Sequence, residues 1–460
     1  MNANRNIDSV YQSRFQVLVV TDDLESAKAL SDACNRRGQD LNFCLYNGDK
    51  LRGVDTTIPD LVLMVLTDYI EHAERIKSVL SAHFSQRTLP FVGALFREGR
   101  YDDQTTFDSV IYAPAHPAQI SQRVEAVLRL QRMEREIFHR VETYNEDFGI
   151  NCSFSLDAID RPFNILFVGK ASPAFMTILN ALQDNNVQVK AAFSSFSAFN
   201  YLHEEDFDAV VMNATENIAP SLLVAATMKR NSRLYNVPVI FLTSNNFNDV
   251  DEIYQKGGHD IILDTAEMPE IRGRILEAAN FHRIHAHMKN ALADLRFDGA
   301  IDLASRLFNR EFLVKHLTRV LADCHKHKYD LSLIALKVHP SSLMKIPADR
   351  IAQAENQIGG MIRSLVRAQD ICARVTNDVM ILVFPEQNVD RLDAVLERIS
   401  AIVECAAFDS GPQITNSPFT MTIDAVKVAP MSHETAEQVL TNAISELTYK
   451  HVPLSRTGTE

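Results

Sequence analysis

Short apolar runs alternate with longer amphipathic stretches in the N-terminal part of the chain, and the pattern occurs twice. Runs of this length, bounded by turn residues, predict buried strands, and the apolar positions between them have helical spacing. Strands that alternate with helices favour a parallel sheet with right-handed crossovers. The runs of the first copy are 15–23, 59–66, 89–95 and 107–114, and those of the second copy are 164–170, 207–213, 237–243 and 259–264.

Two longer helices and a third region complete the pattern. Residues 118–147 predict a connecting helix with one polar face, and residues 271–297 predict a long stalk helix that contains no proline. Beyond it the chain predicts helix, strand, helix and a strand–turn–strand hairpin, which is typical of an α+β domain. We therefore predict three domains, with the bounds 14–147, 161–296 and 297–456.

Composition narrows the function classes. The 460 residues carry 46 Lys and Arg against 59 Asp and Glu, a formal net charge of -13, so no general attraction to nucleic acid is expected. No apolar run is long enough for a membrane span, and the first residues lack the apolar core of a secretory signal. The six cysteines have no paired spacing, which favours reduced thiols over a disulfide framework. We expect a cytoplasmic protein without membrane insertion.

Two motifs in the third region support a family resemblance. Asp302–Arg310 reads DLASRLFNR, and Arg374–Pro385 reads RVTNDVMILVFP. The region resembles the GGDEF domain of diguanylate cyclases, and both N-terminal copies resemble the receiver domains of bacterial response regulators. The domain order is similar to that of PleD-like response regulators. The resemblance implies a multidomain α/β protein with two doubly wound, flavodoxin/CheY-like receivers, followed by an α+β, nucleotidyl-cyclase-like GGDEF domain.

The first receiver copy has lost most of the residues that the resemblance requires for phosphorylation. Receivers use an acidic pair for Mg²⁺, a phosphoacceptor Asp, a hydroxyl residue and a Lys. Asp22 and Asp23 keep the acidic pair, but the other three positions hold Val65, Leu95 and Ala113. A valine cannot form an acyl phosphate. The plain alternative for the two aspartates is a pair of solvated carboxylates at a strand end.

The second receiver copy is altered in the same way. Gly169 and Lys170 occupy the acidic positions, Asn213 the acceptor position and Asp264 the lysine position, and only Thr243 is kept. Both receivers are therefore expected to be chemically silent, and to serve as interaction and dimerisation surfaces.

The cyclase motifs are equally changed. The family's Asp-Ile-Asp metal motif corresponds to Lys337, Val338 and His339, and its Gly-Gly-Asp-Glu-Phe hairpin to residues 376–380, of which Asp378 is the one acidic residue. An ammonium about 4 Å from Mg²⁺ is repelled by about 8 kcal/mol at an effective dielectric near 20, where a carboxylate would be attracted. We expect no catalytic residues and no bound metal.

One functional element of the family is retained. Diguanylate cyclases carry an inhibitory Arg-x-x-Asp site for cyclic di-GMP nine residues before the hairpin, and here Arg367–Asp370 reads RAQD. The family's further arginine corresponds to Arg398. Guanidinium groups can donate paired hydrogen bonds to guanine or phosphate, and a carboxylate can accept from guanine. We therefore predict that Arg367, Asp370 and Arg398 bind cyclic di-GMP.

The Arg-x-x-Asp pattern is common by chance. It also occurs at Arg52–Asp55 and Arg100–Asp103, and only RAQD has the required register with the hairpin. The plain alternative is an exposed Arg–Asp pair at a helix end with a solvated helical arginine.

Two groups of metal-like residues lie outside these motifs. Neither has the spacing of a strong metal motif, and only His282 and His285 share a helix face. A solvated or interface helix is the expected role. The groups are His282, His285 and His287, and Cys324, His325 and His327.

The resemblance implies a catalytically inactive cyclic di-GMP effector. Inactive members of this architecture act as adaptors that control protein interaction, polar localisation and regulated proteolysis in the cell cycle. The implied partners are cyclic di-GMP, a second copy of the chain in a homodimer, and polar or protease-delivery proteins. The alternatives are a scaffold that binds no nucleotide, a divergent cyclase and a phosphorylated regulator.

Overall fold

The computed structural model describes residues 15–25, 27, 40–95, 107–112, 116–156, 161–183, 186–244, 250–341, 346–409 and 418–451. The chain divides into two compact units. The N-terminal unit comprises the described residues within 13–131 and 155–288, and the C-terminal unit those within 132–154 and 289–460. The three predicted domain bounds stay a prediction.

The first sheet of the N-terminal unit has the order β3-β2-β1-β4-β5-β6. All neighbouring strands are parallel except β3, which pairs antiparallel with β2. The predicted strands are confirmed, and β2 and β3 were not predicted. The elements are β1 (Gln16–Thr21), β2 (Asp40–Tyr46), β3 (Leu51–Arg52), β4 (Leu61–Leu66), α1 (Ala73–His83), β5 (Phe91–Leu95), β6 (Ser109–Tyr112) and α2 (Pro117–Glu142).

The second sheet is entirely parallel, in the order β11-β10-β9-β7-β8. Apart from the added β3, both sheets have the 2-1-3-4-5 order of the flavodoxin-like doubly wound fold. The elements are β7 (Phe163–Val168), α3 (Pro173–Ala181), β8 (Val187–Ala192), α4 (Ser195–Glu204), β9 (Ala209–Asn213), α5 (Ala219–Met228), β10 (Val239–Thr243), α6 (Val250–Gln255), β11 (Asp260–Leu263) and α7 (Met268–Asp294).

The central strands are apolar along their whole length because both faces of a parallel sheet are covered. All residues of β4 and of β10 are buried. One face of the first sheet packs against α1, and the other packs against the start of α2.

The two predicted long helices are present. Helix α2 begins at Pro117 and ends at Glu142, where a π-helical turn, Thr143–Asp147, extends it. Helix α7 ends at Asp294, three residues before the predicted end at 297. Helix ends are the least certain part of a sequence prediction.

The C-terminal unit is an antiparallel sheet with helices, as predicted. Its order is β13-β14-β12-β15. In the β13–β14 hairpin, β13 is an edge strand and β14 is a central strand. The elements are α8 (Arg310–His327), β12 (Leu331–Pro340), α9 (Ala348–Leu365), β13 (Ile371–Arg374), β14 (Val379–Pro385), α10 (Asp393–Cys405), β15 (Met421–Val428) and α11 (Ala436–His451).

No helix among the described residues is long and apolar enough to cross a membrane.

Candidate functional site

The predicted ligand residues Arg367 and Asp370 lie in the turn between α9 and β13. The Asp370 carboxylate accepts a hydrogen bond from the Arg367 N–H at 2.9 Å. In return, the Asp370 N–H donates to the Arg367 carbonyl oxygen at 3.1 Å. The two residues therefore close the turn, which we call the RAQD turn (367–370).

Asp370 is not the exposed carboxylate of the plain alternative, because only 7% of its surface is accessible. Burial raises its pKa to about 6, and the attraction of Arg367 and the hydrogen bond from the Arg367 N–H oppose that rise. The carboxylate is part of the turn's internal structure, whereas Arg367 is half-buried.

Arg398 reaches the same end of α9. Its Nη2 donates to the carbonyl oxygen of Leu365, the last residue of that helix and two residues before Arg367. The final carbonyl groups of a helix lack partners within the helix, and a guanidinium there also complements the helix dipole. The structure thus brings Arg398 to the start of the RAQD turn, and the ligand contact itself stays a prediction.

A third arginine, Arg140, holds the same turn and was not predicted. Its Nη2 donates to the Ala368 carbonyl oxygen at 3.2 Å, and its Nη1 donates to the Leu292 carbonyl oxygen at 2.8 Å. The side chain is 1% exposed. Glu136 and Arg140 form an i,i+4 pair of opposite charge, which in a sequence is typical of an exposed helix face.

Glu136 anchors Arg140 within a buried polar group. Its Oε1 accepts from the Arg140 Nε at 2.6 Å, and its Oε2 lies 3.3 Å from the His316 Nε2. Although burial opposes ionisation, the charges of His316 and Arg140 lower the pKa of Glu136 to about 2. His316 also contacts the Thr143 hydroxyl at 3.2 Å. The end of α2 is therefore fixed to the rest of the C-terminal unit by charged and polar contacts.

The turn between β13 and β14 contains an ion pair. The Lys337 ammonium lies 3.7 Å from the Asp378 carboxylate, whose other oxygen accepts from the Thr376 hydroxyl at 2.9 Å. The register of β12 and β14 places Lys337 opposite Val379, next to Asp378. A cation thus faces the carboxylate that was expected to be a metal relic.

The other altered metal position makes a similar pair. The His339 Nε2 lies 3.0 Å from the Asp424 carboxylate on β15. No group of three or more metal-ligating side chains occurs among the described residues. The histidine and the lysine at the two metal positions both contact aspartates of the same unit.

Arg374 connects the hairpin to the entry motif. Its guanidinium donates to Asn356 at 2.5 Å, to Glu355 at 3.2 Å and to Asp302 at 3.4 Å, and it also donates to the Asn377 carbonyl oxygen. Burial raises the pKa of Glu355 despite the opposing charge of Arg374. The retained residues of these motifs therefore support the fold.

Asp22 has a structural role in the first receiver copy. Its carboxylate accepts from the backbone N–H of Thr67 at 2.8 Å, of Asp68 at 2.7 Å and of Tyr69 at 3.3 Å. Asp23 accepts from the Glu25 N–H at 3.0 Å. Asp22 thus fixes the backbone of the segment after β4. It is not the simple solvated carboxylate that was the plain alternative for this residue.

The replaced positions of the first copy lie in or near the sheet. Val65 is fully buried in β4, and Leu95 ends β5. Ala113 lies outside the described residues, as do Arg100–Asp103. Arg52 of the other chance match is an exposed residue of β3.

The replaced positions of the second copy pack against each other. A Cβ atom on Gly169 would lie 2.5 Å from the Asn213 Cβ, so the smaller residue is required there. The Asn213 side chain donates to the Ser172 hydroxyl at 3.1 Å and accepts from the Thr215 hydroxyl at 2.8 Å. Thr243 is buried and Asp264 is exposed.

The two metal-like groups of the sequence have other contacts. His287 contacts the Ser155 carbonyl oxygen at 3.1 Å, and His327 pairs with Asp323 at 2.9 Å. Burial lowers the pKa of His282 and raises that of Cys324 to about 12. Both groups are parts of helices.

Comparisons with known proteins identify the C-terminal region. The family model described as diguanylate cyclase, GGDEF domain, matches residues 353–450. No curated protein sequence matches the chain.

Solved structures are similar to separate parts of the chain. One is the GGDEF domain of DgcB from Caulobacter crescentus in complex with c-di-GMP, with 17% identity over 34% of this chain and 89% of that chain, and a TM-score of 0.29. Another is the FimX GGDEF domain from Pseudomonas aeruginosa, with 15% identity over 33% and 92% of the two chains, and a TM-score of 0.29. A putative response regulator from Chloroflexus aurantiacus has 15% identity over 26% and 98% of the two chains, and a TM-score of 0.25.

Proposed function

We propose that this protein is a catalytically inactive effector that binds cyclic di-GMP at the RAQD turn and changes its protein contacts in response. The observation that carries the proposal is the position of Arg367 and Arg398 at one end of α9, beside a turn that Asp370 closes. The register between RAQD and the hairpin and the family match to residues 353–450 support it.

The chemistry of the turn suits a cyclic dinucleotide. Each arginine can donate two parallel hydrogen bonds to guanine or to a phosphate oxygen pair, and each good bidentate contact is worth about 1 to 3 kcal/mol. Asp370 contributes by holding the Arg367 backbone, so the side chain of Arg367 projects from a fixed position. A fixed donor loses less conformational entropy when the ligand binds.

The proposal of inactivity rests on the ion pair at the hairpin. Two-metal catalysis needs clustered carboxylates, and here Lys337 faces Asp378 while His339 faces Asp424. An ammonium at a metal position disfavours Mg²⁺ and therefore disfavours GTP turnover. We propose that no residue of this region is catalytic and that it holds no metal.

The proposed cellular role follows from the resemblance. The order of two receivers and one GGDEF domain resembles PleD, and a degenerate cyclase motif with a retained Arg-x-x-Asp resembles its paralogue PopA. Proteins like PopA act as adaptors that go to the cell pole with bound dinucleotide and help deliver cell-cycle regulators to an ATP-dependent protease. We propose the same role here, as a cytoplasmic homodimer whose altered receivers provide interaction surfaces.

A scaffold that binds no nucleotide is the second candidate, and one observation favours it. The RAQD turn is already closed by Asp370 and is also held by Arg140, so it is complete without a ligand. In this case the turn would be purely structural and the protein contacts would be constitutive.

Partner capture with Arg367→Ala separates the two candidates. Affinity purification from cells of the wild type and the variant, with and without added cyclic di-GMP, compares the co-purified proteins. An effector loses its ligand-dependent partners in the variant, whereas a scaffold keeps the same partners under all four conditions. A parallel assay of the wild type with GTP and Mg²⁺ or Mn²⁺ tests the cyclase alternative, which requires product formation.

A further inference from the structure

Arg140 is the most deeply buried arginine near the proposed ligand site. Its guanidinium has three hydrogen-bond partners: the Glu136 carboxylate, the Leu292 carbonyl oxygen and the Ala368 carbonyl oxygen, at 2.6, 2.8 and 3.2 Å. The Cζ atom also lies 5.1 Å from the centre of the Phe308 ring. One planar group thus connects the end of α2, the end of α7 and the RAQD turn.

The burial of Arg140 defines what it can do. With 1% of its surface exposed, it is enclosed by protein and does not present its donors to solvent. The lowered pKa of Glu136 keeps a negative charge beside the guanidinium, which fixes its orientation. Any effect of Arg140 on a ligand must pass through the backbone of the turn.

The turn is held from two sides. Within the turn, Asp370 bonds reciprocally to Arg367. From outside, Arg140 bonds to Ala368, which is 228 residues away in sequence. Loss of the outer contact leaves the Ala368 carbonyl without this donor, while the internal bonds between Asp370 and Arg367 remain.

We propose that Arg140 is a positioning residue for the cyclic di-GMP site, a role that rests on the proposed function. Residues 132–142, which end α2, are then part of the binding site although they do not contact the ligand. Thermodynamic linkage makes this coupling reciprocal. If the contact between Arg140 and Ala368 raises the affinity for the ligand, then bound ligand stabilises that contact by the same free energy. The segment is further fixed by ion pairs of Arg132 and Arg135 with Glu386.

The test uses the full-length protein with Arg140→Lys and Arg140→Gln. Lysine keeps the charge beside Glu136 but lacks the planar fork that reaches two carbonyl groups at once. The matched control is Tyr144→Phe, which removes another buried hydrogen bond, from the Tyr144 hydroxyl to the Leu295 carbonyl oxygen, and Leu295 is not a residue of the turn. Thermal melting of every variant verifies folding.

Two readouts are measured on each variant. Titration calorimetry gives the affinity for cyclic di-GMP. Hydrogen exchange of the ligand-free protein gives the exchange rates of the Arg367 and Asp370 amides, and the Leu336 amide in β12 is the reference. We expect Arg140→Gln to weaken binding at least tenfold and to speed exchange of the two turn amides at least tenfold, with Leu336 unchanged. Arg140→Lys should lie between Gln and the wild type, and Tyr144→Phe should match the wild type in both readouts.

The two readouts separate the possible failures. If the wild type binds cyclic di-GMP and Arg140→Gln binds it equally with unchanged turn exchange, the positioning role is wrong. If the wild type binds no cyclic di-GMP while Arg140→Gln still releases the turn amides, the proposed function is wrong and Arg140 positions the turn for structure alone. If Tyr144→Phe lost as much affinity and amide protection as Arg140→Gln, the effect of Arg140 would be one of general stability, and the positioning role would be wrong.

Discussion

The ammonium of Lys337 lies 3.7 Å from the carboxylate of Asp378. Lys337 is on the central strand β12, and Asp378 precedes β14 in the hairpin. The pair is partly exposed, so its contribution to stability is small, on the order of 0 to 1 kcal/mol. Its consequence under the proposed function is that an ammonium beside Asp378 disfavours the binding of Mg²⁺ there.

Substitution of this lysine should create a weak metal site. Lys337→Asp replaces the ammonium by a second carboxylate near Asp378, and paired carboxylates bind divalent cations. Electron paramagnetic resonance with Mn²⁺ should show no binding to the wild type at sub-millimolar metal, and binding to the variant. The control Lys337→Met removes the cation without adding a ligand and should bind at most weakly. Equal Mn²⁺ binding by the wild type would contradict the account of this site.

The raised pKa of Asp370 predicts a pH-dependent stability. Its pKa is about 6 in the folded protein against an ordinary value of 3.8, so the folded state holds the proton more tightly. The stabilisation is fully present below about pH 4 and is lost as pH rises through 6. Asp370→Asn does not titrate and can still accept from the Arg367 N–H. We therefore expect the variant to gain free energy of unfolding relative to the wild type between pH 4.5 and 7.5, by about 2 kcal/mol.

Denaturant unfolding at the two pH values measures this gain. Asp390→Asn is the matched control, because Asp390 is an exposed aspartate of the same unit. A difference between Asp370→Asn and the wild type that does not change with pH would show that the Asp370 carboxyl is not held in its neutral form.

Arg274 and Asp260 form a buried pair in the N-terminal unit. The Arg274 Nη1 lies 3.0 Å from Asp260 Oδ1, and both side chains are nearly inaccessible. The same oxygen accepts from Gln119 at 2.8 Å. Arg274→Met leaves Asp260 buried with one donor fewer, which should cost about 3 to 5 kcal/mol.

A double variant measures the interaction energy between Arg274 and Asp260. Asp260→Asn combined with Arg274→Met removes the unpaired charge, so it should be more stable to urea than Arg274→Met alone. The exposed pair Lys170–Glu216, at 2.8 Å, provides the control, and Lys170→Met should leave the stability to urea nearly unchanged. Additive costs for Arg274 and Asp260 would show that the buried pair is not coupled.

The cysteines should differ in their reactivity towards alkylating reagents. Burial raises the pKa of Cys324 and Cys372 to about 12 and that of Cys44 to about 11. These groups therefore stay in the thiol form at about pH 8, and the thiol is a much poorer nucleophile than the thiolate. Cys405 is exposed. Brief alkylation at pH 8 followed by peptide mass spectrometry should modify Cys405 well before these three residues. Early modification of Cys372 would contradict the packing of β13.

The strands that are buried along their whole length are all predicted from the sequence, and the strands that are missed have mixed burial. Strands β4 and β10 are continuous apolar runs because both of their faces are covered. Strand β8 reads VQVKAA and is an edge strand that pairs with β7 alone. It was missed because its polar residues interrupt the apolar pattern. Strand β2 reads DLNFCLY, and it was missed because Asp40 and Asn42 interrupt its apolar run.

The sequence names the candidate ligand residues but not the contacts that hold them. The register with the hairpin singles out RAQD and the family resemblance adds Arg398; the structure places Arg398 against the end of α9, and ligand binding by these residues stays a prediction. Arg140 could not be found, because an i,i+4 Glu–Arg pair is ordinarily exposed and only tertiary packing buries it. The burial of Asp370 was equally hidden, since it depends on how the turn packs.

The affinity of the purified protein for cyclic di-GMP tests the central claim most directly. Titration calorimetry compares the wild type with Arg367→Ala and with Arg363→Ala, an exposed arginine one helical turn earlier in α9, and uses GTP as the control ligand. The account predicts saturable binding at micromolar or lower concentration in the wild type and in Arg363→Ala, at least a tenfold loss in Arg367→Ala, and no comparable binding of GTP. No heat from the folded wild type at high protein concentration would contradict it.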